Sequence, residues 1–579
     1  MGDVSRRELL GLAAILLLFL GTAAYQLDLP GLHYDEAFEA VPAVQLLHNQ
    51  PVSAFRDSGL VLFGRRFPYT TQDYIGALNT YASLPFLAIF GPDPRSLRAY
   101  ALLIGCLTLL LTWRFSRALT GDPRAGLAAT ALLAVNPTFV FWNRQGVFVT
   151  AVTATIGVGA AYCWLRWFQS GGTRPGYGLA GAFLFGLGIY AKLLFLWLVV
   201  AMAGAAALLT LDRWWPALRA RRWPDELVPR PSVRFLLASL VAAVVACWPL
   251  IVYNLQTAGT FNTIQVNAIR SYYGVENQAV WPNLVERIKQ FGVLLDSGHL
   301  WYLGQIRTNL TMPVVFLLTL GGVLGLSLYP VPGPGLRSSR LKAVPASRAG
   351  NDLATVPPGL GRRALFPFLL IGLVILQSIV TVSALWITHY ALLMPWPAIA
   401  LAAGGYYLSR QLPQAKLGAA APVVALALVL VTEFWTTVSY HRSLAESGGL
   451  GAHSDAIYDL AAWLEDNTTG PVVAMDWGLA APVIFLTQGV VTPVEAFGYA
   501  WETDEAFAVR LEGFTSAPAS LYLWRAPDEI IFDRSADFKA IYRQHNLEET
   551  IVEAFYERSG RPVLGITRLV PQGSADNPP

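Results

Sequence analysis

Residues 235–254 read FLLASLVAAVVACWPLIVYN, twenty positions without a charged side chain. Such a run is the length of one hydrocarbon crossing, about 20 residues at 1.5 Å each. Ten further stretches of the same kind lie at about 9–27, 97–118, 125–142, 147–167, 177–191, 193–211, 311–330, 364–387, 391–408 and 419–438. A bilayer offers backbone groups no hydrogen-bond partners, so these runs predict helices and a mainly α, polytopic fold of about eleven spans. Composition agrees: the chain is 54% hydrophobic and only 14% charged, against roughly 25% charge in a soluble domain. A net charge of +3 argues against nucleic acid as the main partner. Cys106, Cys163 and Cys247 each sit inside an apolar run, which predicts free thiols, and no Cys/His spacing resembles a zinc site.

Orientation follows from Lys and Arg in the short loops. With the N-terminus cytoplasmic, the inner segments hold Arg6, Arg7, Arg114, Arg117, Arg124, Arg166, Arg174, Arg410 and Lys416. The longer inner loops, about 212–234 and 330–363, add a dozen more. This predicts a cytoplasmic N-terminus, an extracytoplasmic C-terminus and residence in the cytoplasmic membrane. Ser5-Arg6-Arg7-Glu8-Leu9-Leu10 is similar to a twin-arginine export signal, but ten spans follow it and it is read as a signal-anchor. The Pro-rich segment 330–363 reads as a flexible linker.

Three outer segments are long: about 28–96, 255–310 and 439–579. All seven histidines fall in them or at an outer helix end, so the chemistry is expected outside. From residue 439 the pattern changes. Amphipathic Ala456–Glu465 alternates with strand-like runs at Pro471–Met475, Val490–Val494, Ser520–Trp524, Glu529–Phe532 and Val563–Leu569, which predicts an α/β domain over 439–579. Asp455, Asp476 and Glu495 read there as solvated surface acids.

Directly after the first span comes Pro30-Gly31-Leu32-His33-Tyr34-Asp35-Glu36-Ala37-Phe38, with Glu39 next. Ionisable groups this close to a membrane are costly and tend to be functional. Acids also simply favour a helix N-terminus, and spacing alone leaves both readings open.

The run resembles the Asp-Glu signature in the first outer loop of GT-C fold glycosyltransferases, especially family 39-like enzymes, which include protein O-mannosyltransferases and lipid A aminoarabinose transferases. Tyr74-Ile75-Gly76-Ala77-Leu78, Leu84-Pro85 and Phe90-Gly91, followed by Arg98, resemble that family's second interfacial helix and the entry to span two. Asn136-Pro137 with Phe141-Trp142-Asn143-Arg144-Gln145 resembles its turn between spans three and four, and His389-Tyr390-Ala391-Leu392-Leu393-Met394-Pro395-Trp396-Pro397 its late outer-face segment. The resemblance covers roughly 1–410 and makes 1–438 the GT-C-like catalytic domain. It departs at Pro68-Tyr69-Thr70-Thr71-Gln72-Asp73, where the aminoarabinose branch has a Lys-Pro-Pro element.

The resemblance implies an inverting enzyme that moves a sugar from a polyprenyl-phosphate-linked donor to a protein, lipid or glycan acceptor. It makes Asp35 the general base and Glu36 the alternate base or acceptor-orienting residue. The departing lipid phosphate needs cationic donors: Arg144 above all, then Lys192, Arg65 and Arg66, with His389 and Tyr390 beside them. Asp73 is expected to pair with Arg65 or Arg66, or to join Asp35 on a divalent cation; such a carboxylate set would suit Mg²⁺ or Mn²⁺. Tyr272, Tyr273, Trp281, Trp301 and Tyr302 read as an interfacial aromatic belt, and their loop as a cover over the substrate groove. A lipid-linked sugar transporter or flippase predicts paired interrupted helices in two related halves, and no such repeat is visible. A non-catalytic scaffold predicts that the outer α/β domain binds a partner.

Overall fold

The computed structural model describes residues 4–145, 149–220, 230–328, 359–412, 416–498, 503–517 and 519–573. Most of the segment read as a linker, 330–363, lies outside them, as do Arg221, Arg222, Arg337, Arg340, Lys342 and Arg348.

The chain enters through α1 (Arg6–Ala23) and emerges into α2 (Tyr34–Leu47). Two short hairpins follow, β1 (Gly59–Leu62) with β2 (Arg65–Pro68) and β3 (Thr70–Gln72) with β4 (Ile75–Gly76), and then α3 (Leu78–Phe90). The helical body comprises α4 (Pro94–Thr120), α5 (Pro123–Val135), α6 (Pro137–Gln145), α7 (Val149–Gln169), α8 (Pro175–Ala191), α9 (Phe195–Arg219) and α10 (Val233–Thr257). It continues through α11 (Gly259–Val266), α12 (Val280–Asp296), α13 (Thr311–Leu328), α14 (Leu360–Gln377), α15 (Pro395–Gln411) and α16 (Lys416–Ser447). Five of the described helices are long and apolar enough to cross a membrane, seven if each of two bent pairs counts as one span, and three shorter apolar helices accompany them. The chain is a multi-pass membrane protein.

Both bends follow from proline. Between α5 and α6 the axis turns by 66°. Pro137 has no N–H to continue the ladder, and the Asn136 side chain instead accepts from the Phe139 N–H at 3.0 Å. The second bend, 46°, separates the tight helix Ile387–Leu393 from α15 at Pro395. α4 packs on α5 and α7, α8 on α7 and α10, and α14 on α9 and α15. The shared core is filled by large side chains such as Trp142, Trp396, Phe139 and Phe115.

After α17 (Ala456–Asn467) the tail forms a five-stranded sheet, ordered β6-β5-β7-β9-β8, from β5 (Val472–Ala474), β6 (Val494–Glu495), β7 (Leu521–Arg525), β8 (Leu547–Tyr556) and β9 (Pro562–Pro571). β5 runs parallel to β6 and β7, whereas β7–β9 and β9–β8 are antiparallel. Glu529–Phe532, expected as a strand, is a loop. Asp476 is fully buried at the end of β5, not a surface acid, and its carboxylate accepts the N–H groups of Ile531 and Phe532, both at 2.9 Å. Those N–H groups are therefore taken from any ladder. β8 carried no clear alternation and was not expected.

One packing feature positions the site. α2 buries Ala37, Ala40, Val41 and Val44 in the same core as Ile457, Leu460, Phe485 and Leu523 of the tail. The segment after α1 and the tail thus share a hydrophobic core although some 400 residues separate them in sequence.

Candidate active site

α2 starts where it does because His33 caps it. The His33 backbone is extended, and its Nδ1 accepts the Asp35 N–H at 3.2 Å. The acids of the first turn add to this at the positive end of the helix dipole. From that turn the two adjacent carboxylates diverge. Glu36 points inward and is held by both arms of Arg98, at 2.7 and 3.0 Å, with neither side chain exposed. Arg98 also donates to the Leu27 carbonyl. Asp35 points outward, its side chain 47% exposed, with His33 Nδ1 at 3.9 Å.

One turn on, Glu39 falls on the same side of the helix as Asp35. Its carboxyl is buried and accepts from Thr71 Oγ1 at 2.7 Å. Burial pushes it up to about 8, against the pull of Thr71 and Lys192. Lys192 occupies the break between α8 and α9, where the backbone pairs with Ile75 of β4 and the Leu193 N–H donates to the Tyr74 carbonyl. Its ammonium is within electrostatic reach of Asp35 and Glu39, and of His389. Tyr273 is within electrostatic reach of Asp35. Asp35, Glu39, Lys192, His389 and Tyr273 therefore gather from four separate segments.

His389 and Tyr390 are held from behind. Arg287 of α12 is fully buried; it donates to the carbonyls of Ser378 and Trp386, meets His389 Nδ1 at 3.4 Å, and lies over the rings of Trp197 and Tyr390. Tyr390 shares a 2.9 Å hydrogen bond with Ser378, and His389 Nε2 lies 3.2 Å from Ser383 Oγ. No sequence signal pointed to Arg287: besides Gln290 on its own helix, its partners are two main-chain carbonyls and a histidine some 90 to 100 residues away.

The remaining candidates go elsewhere. Arg144 is buried and donates to the carbonyls of Gln26 and Leu29, with His441 Nδ1 at 3.4 Å. It thus fastens the turn that leads into α2. Arg65 donates to the Asn49 side chain and the Leu46 carbonyl, and Arg66 pairs with the exposed Asp57 at 2.8 Å. Asp73 pairs with neither Arg65 nor Arg66. Arg56 grips both of its oxygens at 2.7 and 2.8 Å, and Tyr253 and Thr263 donate to them as well. Burial opposes ionisation of Asp73, but Arg56, Thr263 and Tyr253 outweigh it and hold the carboxyl below the usual range. Both oxygens are engaged, so Asp35 with Asp73 does not fit a divalent cation. Among the described residues no three His, Cys, Asp or Glu side chains gather as a metal site. Of the aromatic loop, Tyr273, Trp281 and Trp301 are exposed, but Tyr302 is buried.

This arrangement has relatives. Two structures of ArnT from Cupriavidus metallidurans, one apo and one bound to undecaprenyl phosphate, are 14% identical to the chain. They align with TM-scores of 0.58 and 0.56, over 96% of this chain and 97% of that one. The chain has the GT-C fold. The family model for dolichyl-phosphate-mannose-protein mannosyltransferase matches residues 80–224. A further GT-C relative, the arabinofuranosyltransferase AftD from Mycobacteria, is 15% identical with a TM-score of 0.50, over 98% of this chain and 40% of that one. A search of curated protein sequences returns no match.

Proposed function

We propose that this GT-C protein is an inverting glycosyltransferase. It moves a sugar from a polyprenyl-phosphate-linked donor to an acceptor at the outer face of the cytoplasmic membrane, with its N-terminus inside and the 439–579 domain outside. The observation that carries the reading is the isolation of Asp35. It is the acid of its motif with a half-exposed carboxyl, and Lys192 is within its electrostatic reach. Its relatives by fold supply the substrate class, since one ArnT structure holds undecaprenyl phosphate.

In this mechanism the acceptor oxygen attacks the anomeric carbon from the face opposite the phosphate. Asp35 takes the acceptor proton, and the bond to the phosphate oxygen breaks with its electron pair. Lys192 is the cation suited to receive that leaving phosphate. His389 is within electrostatic reach of Lys192, and Arg287 holds both it and the buried Tyr390 from behind. Glu36, joined to Arg98, holds the first turn of α2 in place and is not the base; Arg144 does the same for the preceding turn. No step is routed through a metal.

The test is transfer by the purified chain, using radiolabelled polyprenyl-phosphate monosaccharides and a membrane acceptor extract. Label should move with the wild type and fall to background with Asp35→Asn, at equal amounts of folded protein. Equal transfer by the variant would remove Asp35 as the base; no transfer from any donor would remove the donor class.

A further inference from the structure

All seven histidines lie on the outer side or at its border, yet the mechanism above uses only His389. Two others meet directly. The His33 ring stacks on His453, centroids 4.2 Å apart and nearly parallel at 12°. The other face of His453 is covered by Tyr302, at 4.0 Å and 21°. These three rings come from the first outer loop, the second outer loop and the entry to the tail.

The surrounding backbone is fastened in the same place. The Leu450 N–H donates to the Tyr302 carbonyl at 2.9 Å, Tyr302 Oη donates to Gln145 at 2.7 Å, and Tyr458 Oη donates to the Asp28 carbonyl at 2.7 Å. Gly31 runs so close to the Ser454 carbonyl that a side chain there would collide with it. His453 is 8% exposed and its Nδ1 has no hydrogen-bond partner. What the ring contributes is therefore its two faces.

His33 is the residue whose Nδ1 caps α2 at Asp35. We propose that His453 is a positioning residue for Asp35: by stacking on His33 it holds the capping ring in place, so that the tail domain and the second outer loop together aim the carboxylate. This deepens the function proposed above and rests on it for the role of Asp35, while the mechanical link stands on the geometry alone. The cap needs an unprotonated Nδ1, so His33 must be the neutral tautomer with its proton on Nε2. Burial lowers the basicity of His33, Asp35 opposes that, and Arg525 of the tail assists it. Burial, His33, Arg98 and Arg525 lower that of His453. These neighbours keep both rings neutral at physiological pH.

Two measurements on the full chain in nanodiscs test the link. Amide hydrogen exchange of residues 34–40 should speed up about tenfold in His453→Ala, the scale of a lost helix cap. It should return to the wild-type rate in His453→Phe, which keeps the stack without a titratable ring. Transfer activity should fall in His453→Ala and recover in His453→Phe. A combined His33→Ala/His453→Ala chain should lose no more than His33→Ala alone. Unchanged exchange in His453→Ala, or an acceleration that His453→Phe does not reverse, overturns the positioning role. If exchange responds as expected while the wild type transfers no sugar, the link stands and the proposed function falls.

Discussion

Asp35 and Glu36 follow one another in the chain and meet opposite environments. Glu36 is sealed between two helices with both oxygens on Arg98, and Asp35 is half-exposed beside Lys192. The same contrast separates two of the cations expected at the donor phosphate, since Arg144 is committed to backbone carbonyls and Lys192 is within electrostatic reach of Asp35 and Glu39. A buried pair whose hydrogen bonds are complete holds the structure in register. A charge left with unfilled hydrogen-bonding capacity at the edge of water is one that chemistry can use. Proximity in sequence does not distinguish the two cases, but hydrogen-bond partners do.

Five substitutions can break or sharpen this comparison. The largest effect belongs to Asp35→Asn, which should reduce kcat by about 10²–10⁴, the usual contribution of a positioned base, and leave thermal unfolding unchanged. Arg98→Ala should do the reverse. Stranding Glu36 as an unpaired buried charge costs about 3–5 kcal/mol, read as a lower Tm in nanodiscs; a variant as stable as the wild type would contradict the pairing. Lys192→Met should raise the donor KM about 10–100-fold, the scale of one charge-assisted hydrogen bond. Arg144→Met should lower Tm and leave that KM alone, and the opposite pattern would return the phosphate to Arg144. The smallest effect concerns Glu39. Its folded carboxyl titrates near 8, above its unfolded value, so the stability it contributes is complete in acid and is lost as pH rises through about 8. Glu39→Gln should therefore be more stable than the wild type above that pH and lose this advantage on acidification.

Local signals predicted the helical body well, because a bilayer leaves apolar helices few alternatives. The spans read as unbroken at 125–142 and 391–408 bend instead at Pro137 and Pro395. The strands were harder. Val563–Leu569 was legible within β9, but Glu529–Phe532 has strand-like composition and lost its N–H groups to Asp476. The Asp-Glu motif put two acids at the start of α2 without saying which was open. Arg65 and Arg66 were the nearest cations to Asp73 in sequence, yet Arg56, in the tight turn before β1, is the one that reaches it.

The sequence by itself determined that this protein is a multi-pass helical membrane protein and that its acids gather after the first span. Both follow from the cost of removing polar groups from water, which acts on each residue wherever it stands. Only the tertiary structure decided which of those acids is paired, which cation comes within electrostatic reach of the open one, and that a ring from the tail stacks on the histidine that caps its helix. Those outcomes depend on contacts between residues from tens to more than four hundred positions apart, and no local preference encodes them.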